Sequence, residues 1–202
     1  MQILLATLNL GKLREIEHEI RQASLLDIQL RTLAILPTPE NVVEDRPTFI
    51  GNAVKKARAY ASQSGMLTLA DDSGLSVDAL AGQPGVRSAR YAGEPCNDAA
   101  NNAKLLQTLA GVAAPQRTAK FVCALALAHP TATVAVVQAW VDGMILSEPR
   151  GANGFGYDPL FLLPLLGQTT AELPLEQKSA LSHRGHAVRQ MIALFRMGIF
   201  PR

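Results

Sequence analysis

The sequence has little of what marks several common classes of protein. Its 202 residues include two cysteines, Cys96 and Cys123, and neither has a partner at the spacing of a zinc ligand set. One disulfide is arithmetically possible, but Cys123 lies inside an apolar run, where a buried free thiol is the more common state. The formal net charge is only +2 and no Lys/Arg cluster is visible, which excludes the basic face typical of nucleic-acid-binding proteins.

Long uninterrupted apolar runs are missing as well. The longest apolar region, residues 121–141, is broken at His129-Pro130-Thr131 and at Gln138, so it predicts two strands joined by a turn rather than a membrane span. Residues 1–6 lack the charged segment that opens a signal peptide. We therefore expect a cytoplasmic protein without a membrane partner.

What is present predicts a mixed α/β fold with a central sheet. Hydrophobic residues make up 48% of the chain, enough for one large domain or two closely joined lobes. Apolar segments alternate early with stretches of helical periodicity, and a β-rich part follows. The predicted strands are residues 3–6, 28–33, 66–70, 119–128, 133–141 and 160–163; the predicted helices are residues 13–20, 49–65, 98–109 and a last helix opened by residues 178–185.

Two adjacent carboxylates, Asp71 and Asp72, follow the apolar run of residues 66–70. We expect them at the end of a buried strand, where neighbouring like charges are unfavourable unless a cation or a proton relieves them. A divalent metal ion would supply that relief. The alternative is a solvated turn, because Asp, Ser and Gly are ordinary turn residues.

The first loop, residues 7–12, lies between a predicted strand and a predicted helix. Such a loop can offer backbone N–H groups and a positive helix end to a phosphate, and Lys12 and Asn9 add a charge and a donor. It is not a Walker A sequence, and on the pattern alone a capping loop with a solvated Lys12 is the more common arrangement.

Acidic and polar residues flank the second predicted helix. Glu44 can join the aspartate pair around a metal ion, or it can act as an acidic cap. Asn52 and Lys56 share one helix face, which points either to a polar cleft or to solvent.

Phe155 stands between two glycines, which permits close approach of the backbone to a flat ligand. Its ring can stack on a nucleobase and Asp158 can accept from a ring N–H; the alternative is a glycine-rich turn with a buried aromatic residue.

Lys178, His183 and Arg184 gather where the last helix is predicted to begin. Cations there oppose the helix dipole, so we expect an anionic or polar ligand, although His183 can also be a surface histidine. Cations suit phosphates, acids suit a magnesium ion and an aromatic ring suits a base; together they indicate a nucleoside triphosphate.

Six groups of residues then occur in one characteristic order. They are Leu5-Ala6-Thr7 with Asn9 and Lys12; Thr48-Phe49 with Asn52-Ala53 and Lys56-Ala57; Ala70-Asp71-Asp72-Ser73-Gly74-Leu75; Pro84-Gly85-Val86 with Ser88-Ala89-Arg90-Tyr91 and Gly93; Gly154-Phe155-Gly156-Tyr157-Asp158-Pro159; and Lys178 with Ser182-His183-Arg184. On these motifs the chain resembles the inosine triphosphate pyrophosphatase family, also called Ham1-like, over nearly its whole length.

The resemblance implies one domain spanning residues 1–202, with an elongated mixed sheet, flanking helices and two lobes with the active-site cleft between them. It implies a homodimer that uses Mg²⁺ to cleave XTP, dITP and ITP to the monophosphate and diphosphate. Asp72 matches the catalytic proton acceptor, and Glu44 and Asp72 match the metal-site acids. The implied substrate-binding residues are Thr7, Leu8, Asn9, Leu10, Gly11, Lys12, Ser73, Phe155, Gly156, Tyr157, Asp158, Lys178, His183 and Arg184.

Two departures from the family pattern surround the metal site. Gly51 stands where the family commonly has a glutamate, and Asp45-Arg46-Pro47 replaces a glycine-containing link after Glu44. Two alternative functions stay open at this point: a related pyrophosphatase for pyrimidine or modified nucleotides, and a catalytically silent nucleotide-binding module.

Overall fold

The structure is a computed structural model, and it describes residues 1–24 and 28–198. The strands are β1 Gln2–Leu5, β2 Gln29–Thr32, β3 Thr68–Val77, β4 Thr118–His129, β5 Ala132–Ile145, β6 Phe161–Leu163 and β7 Gln168–Thr169. The α-helices are α1 Leu10–Gln22, α2 Phe49–Ser64, α3 Asp98–Thr108, α4 Leu175–Leu181 and α5 His183–Arg196.

The described strands form one mixed sheet in the order β2-β1-β3-β4-β5-β6-β7. β1 pairs in parallel with β2 and with β3, whereas β6 pairs antiparallel with β5 and with β7. The parallel part comes from the early strand–helix–strand segments, which need a crossover connection. The predicted α/β class with a mixed sheet is therefore confirmed.

The chain divides into two compact units. The first contains residues Met1–Asp72, Cys123–Ala139 and Arg184–Arg202, and the second contains Ser73–Val122 and Trp140–His183. No helix in the described ranges is both long and apolar enough to cross a membrane. Both cysteines are free, and Cys123 is buried as predicted.

The first unit buries apolar side chains on both faces of its strands. Successive residues of a strand point to opposite faces, so Ile3 and Leu5 join one cluster while Leu4 joins the other. The first cluster includes Ile16 of α1 with Val188, Met191 and Ile192 of α5; the second includes Ala53, Ala57 and Ala61 of α2 with Ala124, Ala126 and Ala128 of β4. Small residues on both surfaces of the second cluster let α2 lie close to the strands.

The second unit has a core of larger side chains. α3 contributes Leu105, and Phe121, Tyr157 and Phe161 pack in the same cluster. The rings of Phe121 and Phe161 have centroids 4.2 Å apart. This core supports the glycine-rich loop of residues 147–157, because Tyr157 belongs to both.

Several predicted boundaries differ from the structure, and two of them change the candidate site. β3 continues to Val77, so Asp71 and Asp72 lie inside the strand rather than at its end or in a turn. Lys178 lies in α4, and a separate helix, α5, begins at His183, because Ser182 between them is extended (φ −80°, ψ 156°).

Candidate active site

Asp71 and Asp72 are adjacent residues of β3, and neighbouring side chains of a strand point to opposite faces. The two carboxylates therefore have different surroundings. Both belong to the first unit, together with Lys12, Glu44 and Arg184.

Asp71 is the centre of a buried charge network. Its Oδ1 lies 2.5 Å from Lys12 Nζ, and its Oδ2 accepts from Arg184 Nε at 2.9 Å and from Cys123 Sγ at 3.1 Å. Arg184 Nη1 also pairs with Glu15 of α1. Burial raises the pKa of Asp71, but the Arg184 and Lys12 cations outweigh burial and hold that pKa well below its usual range. We call Lys12, Glu15, Asp71, Cys123 and Arg184 the Asp71 network.

The network corrects two expectations. Arg184 is 2% exposed and its charge is met by protein carboxylates, so an anionic ligand is not needed to explain its position. Lys12 is not a solvated lysine, because its side chain is 16% exposed and paired with Asp71.

Asp72 faces residues of α2 and of the loop before it. Burial is the largest cause that raises the pKa of Asp72 to about 6; Lys56 and Lys12 oppose the rise, Glu44 adds to it, and a hydrogen bond from Asn52 opposes it. Asp72 Oδ2 is buried and has no hydrogen-bond partner among residues 1–24 and 28–198. A buried polar atom left in this state points to a ligand or an ion.

Lys56 holds Glu44 near the aspartates. Its Nζ lies 2.5 Å from Glu44 Oε1 and donates to the Asp71 backbone oxygen at 2.6 Å. Lys56 and Asn52 are both buried, so the interpretation of this helix face as solvent-exposed is wrong.

The residues that depart from the family pattern are tied to α2. Asp45 Oδ1 lies 2.7 Å from Lys55 Nζ, and Arg46 N donates to Asn52 Oδ1 at 2.8 Å. A Cβ on Gly51 would lie 2.9 Å from Arg46 Cβ, so the Arg46 side chain fills the space of the missing side chain. The altered segment thus leaves Glu44 beside Lys56.

The donor set fits a hard divalent cation. The described residues contain no cluster of three metal-binding side chains, but Glu44 and the open Asp72 Oδ2 offer two carboxylates. Mg²⁺ usually takes one or two carboxylates and completes its shell with water and substrate phosphates.

The predicted phosphate loop is shorter than expected, because α1 begins at Leu10. Asn9 caps the helix through Oδ1, which accepts from Lys12 N at 3.0 Å, and Thr7 Oγ1 accepts from Asn9 N at 3.1 Å. Leu10 and Gly11 belong to the first turn, where N–H groups have no acceptor within the helix. Leu8 is 80% exposed. The arrangement leaves a helix N-terminus with backbone donors for an anion.

In the second unit, Asp158 organises the glycine-rich loop. Its Oδ2 accepts from Lys178 Nζ at 2.5 Å and from Phe155 N at 2.8 Å, and its Oδ1 accepts from Thr170 Oγ1 at 2.8 Å. A Cβ at Gly154 would collide with the same carboxylate. Asp158 is 2% exposed and engaged on both oxygens, so it holds the loop, and the predicted contact with a ring N–H is not supported.

The other predicted residues of this unit divide into exposed and buried ones. Phe155 is partly exposed, with Lys178 Nζ 5.0 Å from its ring centroid, and Ser73 is also partly exposed. Tyr157 is buried, its hydroxyl donates to Ser88 O at 2.8 Å, and burial raises its pKa. His183 is 5% exposed and stacks on Phe121 at 4.8 Å, which rules out the surface-histidine alternative.

The chain was compared with protein families and known proteins. The model of the Ham1 family matches residues 3–194. The chain belongs to the Ham1 family. Two similar curated proteins are both named dITP/XTP pyrophosphatase. The protein from Desulforamulus reducens is 47% identical, and the alignment covers 96% of this chain and 95% of that protein. The protein from Geobacter sulfurreducens is 50% identical, and the alignment covers 93% of this chain and 92% of that protein. A solved Ham1 protein from Coxiella burnetii has a TM-score of 0.87 and 38% identity, covering 98% of this chain and 99% of that structure.

This Ham1 family member also has supporting residues that the sequence did not single out. Glu15 pairs with Arg184, and Asp98 and Asn102 bond to Gly156. A weak signal exists for Glu15, since it lies three residues after Lys12 on the same helix face. Asp98 lies in the first turn of α3, where an acidic residue is common and gives no separate signal of a contact with the loop.

Proposed function

We propose that this Ham1 family member hydrolyses the non-canonical purine nucleoside triphosphates XTP, dITP and ITP to the monophosphate and diphosphate. The observation that carries the proposal is the buried Asp72 Oδ2, which has no partner in the described residues and lies in a carboxylate whose pKa is raised to about 6. The name dITP/XTP pyrophosphatase, which the curated relatives carry over nearly the whole length of this chain, supports the same reaction. Such an activity removes deaminated purines from the nucleotide pool.

Asp72 is the proposed general base. With a pKa of about 6 its carboxylate is mostly ionised at neutral pH, yet more basic than an ordinary aspartate. The Asp72 carboxylate takes the proton of the water that attacks the α phosphorus, while the bond from that phosphorus to the leaving diphosphate breaks. The hydrogen bond from Asn52 orients the carboxylate. The open oxygen supports this role because it needs no protein bond to be broken first.

Mg²⁺ is the proposed metal, with Glu44 and Asp72 as its protein ligands. A bound Mg²⁺ would neutralise charge on the phosphate oxygens. Lys56 keeps Glu44 in place through its 2.5 Å contact. The N-terminus of α1 and the Lys12 side chain are the proposed phosphate-binding elements. The ion pair with Asp71 holds the Lys12 ammonium group in place before substrate binds.

The proposed base-binding element is the Phe155 ring, supported by Lys178 and Asp158 behind it. The Phe155 and Gly156 N–H groups already donate to protein carboxylates, so they are not the donors that select a 6-oxo group. A pocket donor aimed at that oxygen would be left unpaired against adenine, at a cost of about 1–3 kcal/mol. The two-lobe cleft, the homodimer and the cytoplasmic location stay predictions.

A substrate panel tests the proposal. The protein with Mg²⁺ is assayed for diphosphate release from dITP, XTP, ITP, dATP, dGTP, dUTP and dTTP, with Asp72→Asn as the inactive control. We expect turnover of the first three at least ~10-fold above the rest, the discrimination of one unpaired donor. Equal turnover of all seven would refute the selectivity, a preference for dUTP or dTTP would favour a pyrimidine enzyme, and binding without diphosphate release would favour a silent module.

A further inference from the structure

α3 holds the loop that carries Phe155. Asp98 Oδ2 accepts a hydrogen bond from Gly156 N at 2.7 Å, and Asn102 Nδ2 donates to Gly156 O at 2.9 Å. Asp98 and Asn102 are four residues apart, so they lie on one face of the helix. Both polar backbone groups of one glycine are thus bonded to one helix face of the same unit.

The two hydrogen bonds matter because the glycines on either side of Phe155 would otherwise leave the backbone of the loop free to move. Gly156 has a left-handed backbone (φ +62°) with no atom within 4 Å of a would-be Cβ, so no packing restricts it. Gly154, on the other side of Phe155, is restricted by the Asp158 carboxylate. The contacts from Asp98 and Asn102 therefore complete the restraint of the backbone around Phe155.

The Asn102 side chain makes this bond through Nδ2, although its amide oxygen makes none in the described part of the chain. Its Oδ1 is buried and has no hydrogen-bond partner in the described part of the chain. An unsatisfied buried acceptor lowers stability. The bond from Asn102 Nδ2 to Gly156 O offsets part of that cost and ties the side chain to the loop.

We propose that Asp98 and Asn102 are positioning residues that fix the Phe155 ring for the nucleobase, and thereby set the affinity for nucleotides without touching them. This inference rests on the proposed function. The restraint removes conformational freedom from a loop with two glycines before substrate binds, and a preorganised loop binds more tightly.

The test compares ligands with and without a base. Michaelis constants for dITP are measured together with the inhibition constants of the two products, dIMP and diphosphate, for wild-type protein, Asp98→Ala, Asp98→Asn and Asn102→Ala. Loss of one hydrogen bond predicts about a 5- to 10-fold rise in the Michaelis constant of dITP and the inhibition constant of dIMP in both alanine variants. The kcat for dITP and the inhibition constant of diphosphate stay within about twofold, since diphosphate has no base to stack.

Asp98→Asn and Gln107→Ala are the matched controls. Asparagine removes the charge from the first turn of α3 but keeps an oxygen that accepts from Gly156 N, so we expect near wild-type constants. Gln107 is an exposed residue of the same helix, and its truncation reports any general effect on α3. Asp98 is exposed, so Asp98→Ala also tests the inference if Asn102→Ala does not fold.

An unchanged inhibition constant for dIMP in Asp98→Ala would overturn the inference, as would an equal rise for dIMP and diphosphate, which is the result of a merely structural role. A wild-type protein that releases no diphosphate from any nucleotide would refute the proposed function instead.

Discussion

Replacing Asp71 by asparagine tests whether the buried charges of the Asp71 network stabilise the fold. The substitution keeps the shape of the side chain but removes the anion that faces Lys12 and Arg184. Asp71 is 0% exposed and Arg184 is 2% exposed, so neither site lets water take over the lost contact.

Removing one partner of a buried ion pair costs about 3–5 kcal/mol, because the remaining charge stays buried without compensation. Arg184 keeps its contact with Glu15, and the Lys12 side chain is 16% exposed and can turn to solvent. We therefore expect the lower end, about 3 kcal/mol, which corresponds to roughly 6–12 °C in Tm for a chain of this size.

The free energy of unfolding is measured by urea denaturation at neutral pH for wild-type protein, Asp71→Asn and Glu17→Gln. Glu17 is the matched control, since its ion pair with Arg21 spans one helix turn, the Arg21 side chain being 80% exposed. Exposed pairs contribute at most about 1 kcal/mol. The pKa of Asp71 lies well below 3.8, so its contribution is present above that pH and is lost only as the pH falls through the folded-state pKa.

A loss below about 1 kcal/mol for Asp71→Asn, equal to that of Glu17→Gln, would refute the reasoning about this network. It would mean that the lysine and the arginine find other partners at little cost, and the charges would then have to be explained by ligand binding after all.

Three further predictions concern single residues. Asp72→Asn should lower kcat for dITP by at least ~10²-fold, the usual floor for a lost general base, and near-normal turnover would remove Asp72 from that role. Tyr157→Phe should remove a tyrosine whose pKa burial raises above its ordinary value of 10.0. The contribution of the buried neutral hydroxyl to the stability of the fold is therefore complete below pH 10 and is lost as the pH rises through the folded-state pKa. An absorbance titration at alkaline pH, compared with the variant, measures when Tyr157 ionises. Gly154→Ala should raise the Michaelis constant for dITP several-fold, because the new methyl group displaces the Asp158 carboxylate; an unchanged constant would show that the loop adapts freely.

Most secondary structure could be predicted because periodicity and end signals are local. The end of α2 near Gly65 is confirmed, and Gly65 is left-handed with φ +69°. The boundaries that failed lie where tertiary contacts override such signals. β3 passes through Asp71 and Asp72 because Lys12 and Arg184 supply the countercharge that makes a buried strand tolerable there.

The sequence indicated which residue types form the candidate site, but it did not indicate which atoms those residues contact. The expected family is confirmed, and Glu44 lies close enough to affect the pKa of Asp72, as the metal-site prediction requires. The cations at Lys178 and Arg184 were interpreted as ligand-binding, whereas each is paired with a protein carboxylate. A sequence pattern indicates that a charge needs a partner, but not which atom supplies it.

The sequence by itself determined the family, through six motifs spread along the chain. It also determined most of the alternation of strands and helices, because that alternation depends on neighbours within a few positions. Only the tertiary structure decided which of the two aspartates is paired with protein cations and which has an oxygen available to a ligand. Asp71 is neutralised by Lys12 and by Arg184, the latter 113 positions away, and it accepts a hydrogen bond from Cys123, 52 positions away. Asp72, in contrast, keeps one buried oxygen without a hydrogen bond within the described residues. Such pairings depend on how distant strands and helices pack, and adjacent side chains of one strand meet opposite surroundings, so two identical neighbouring residues acquire different chemistry.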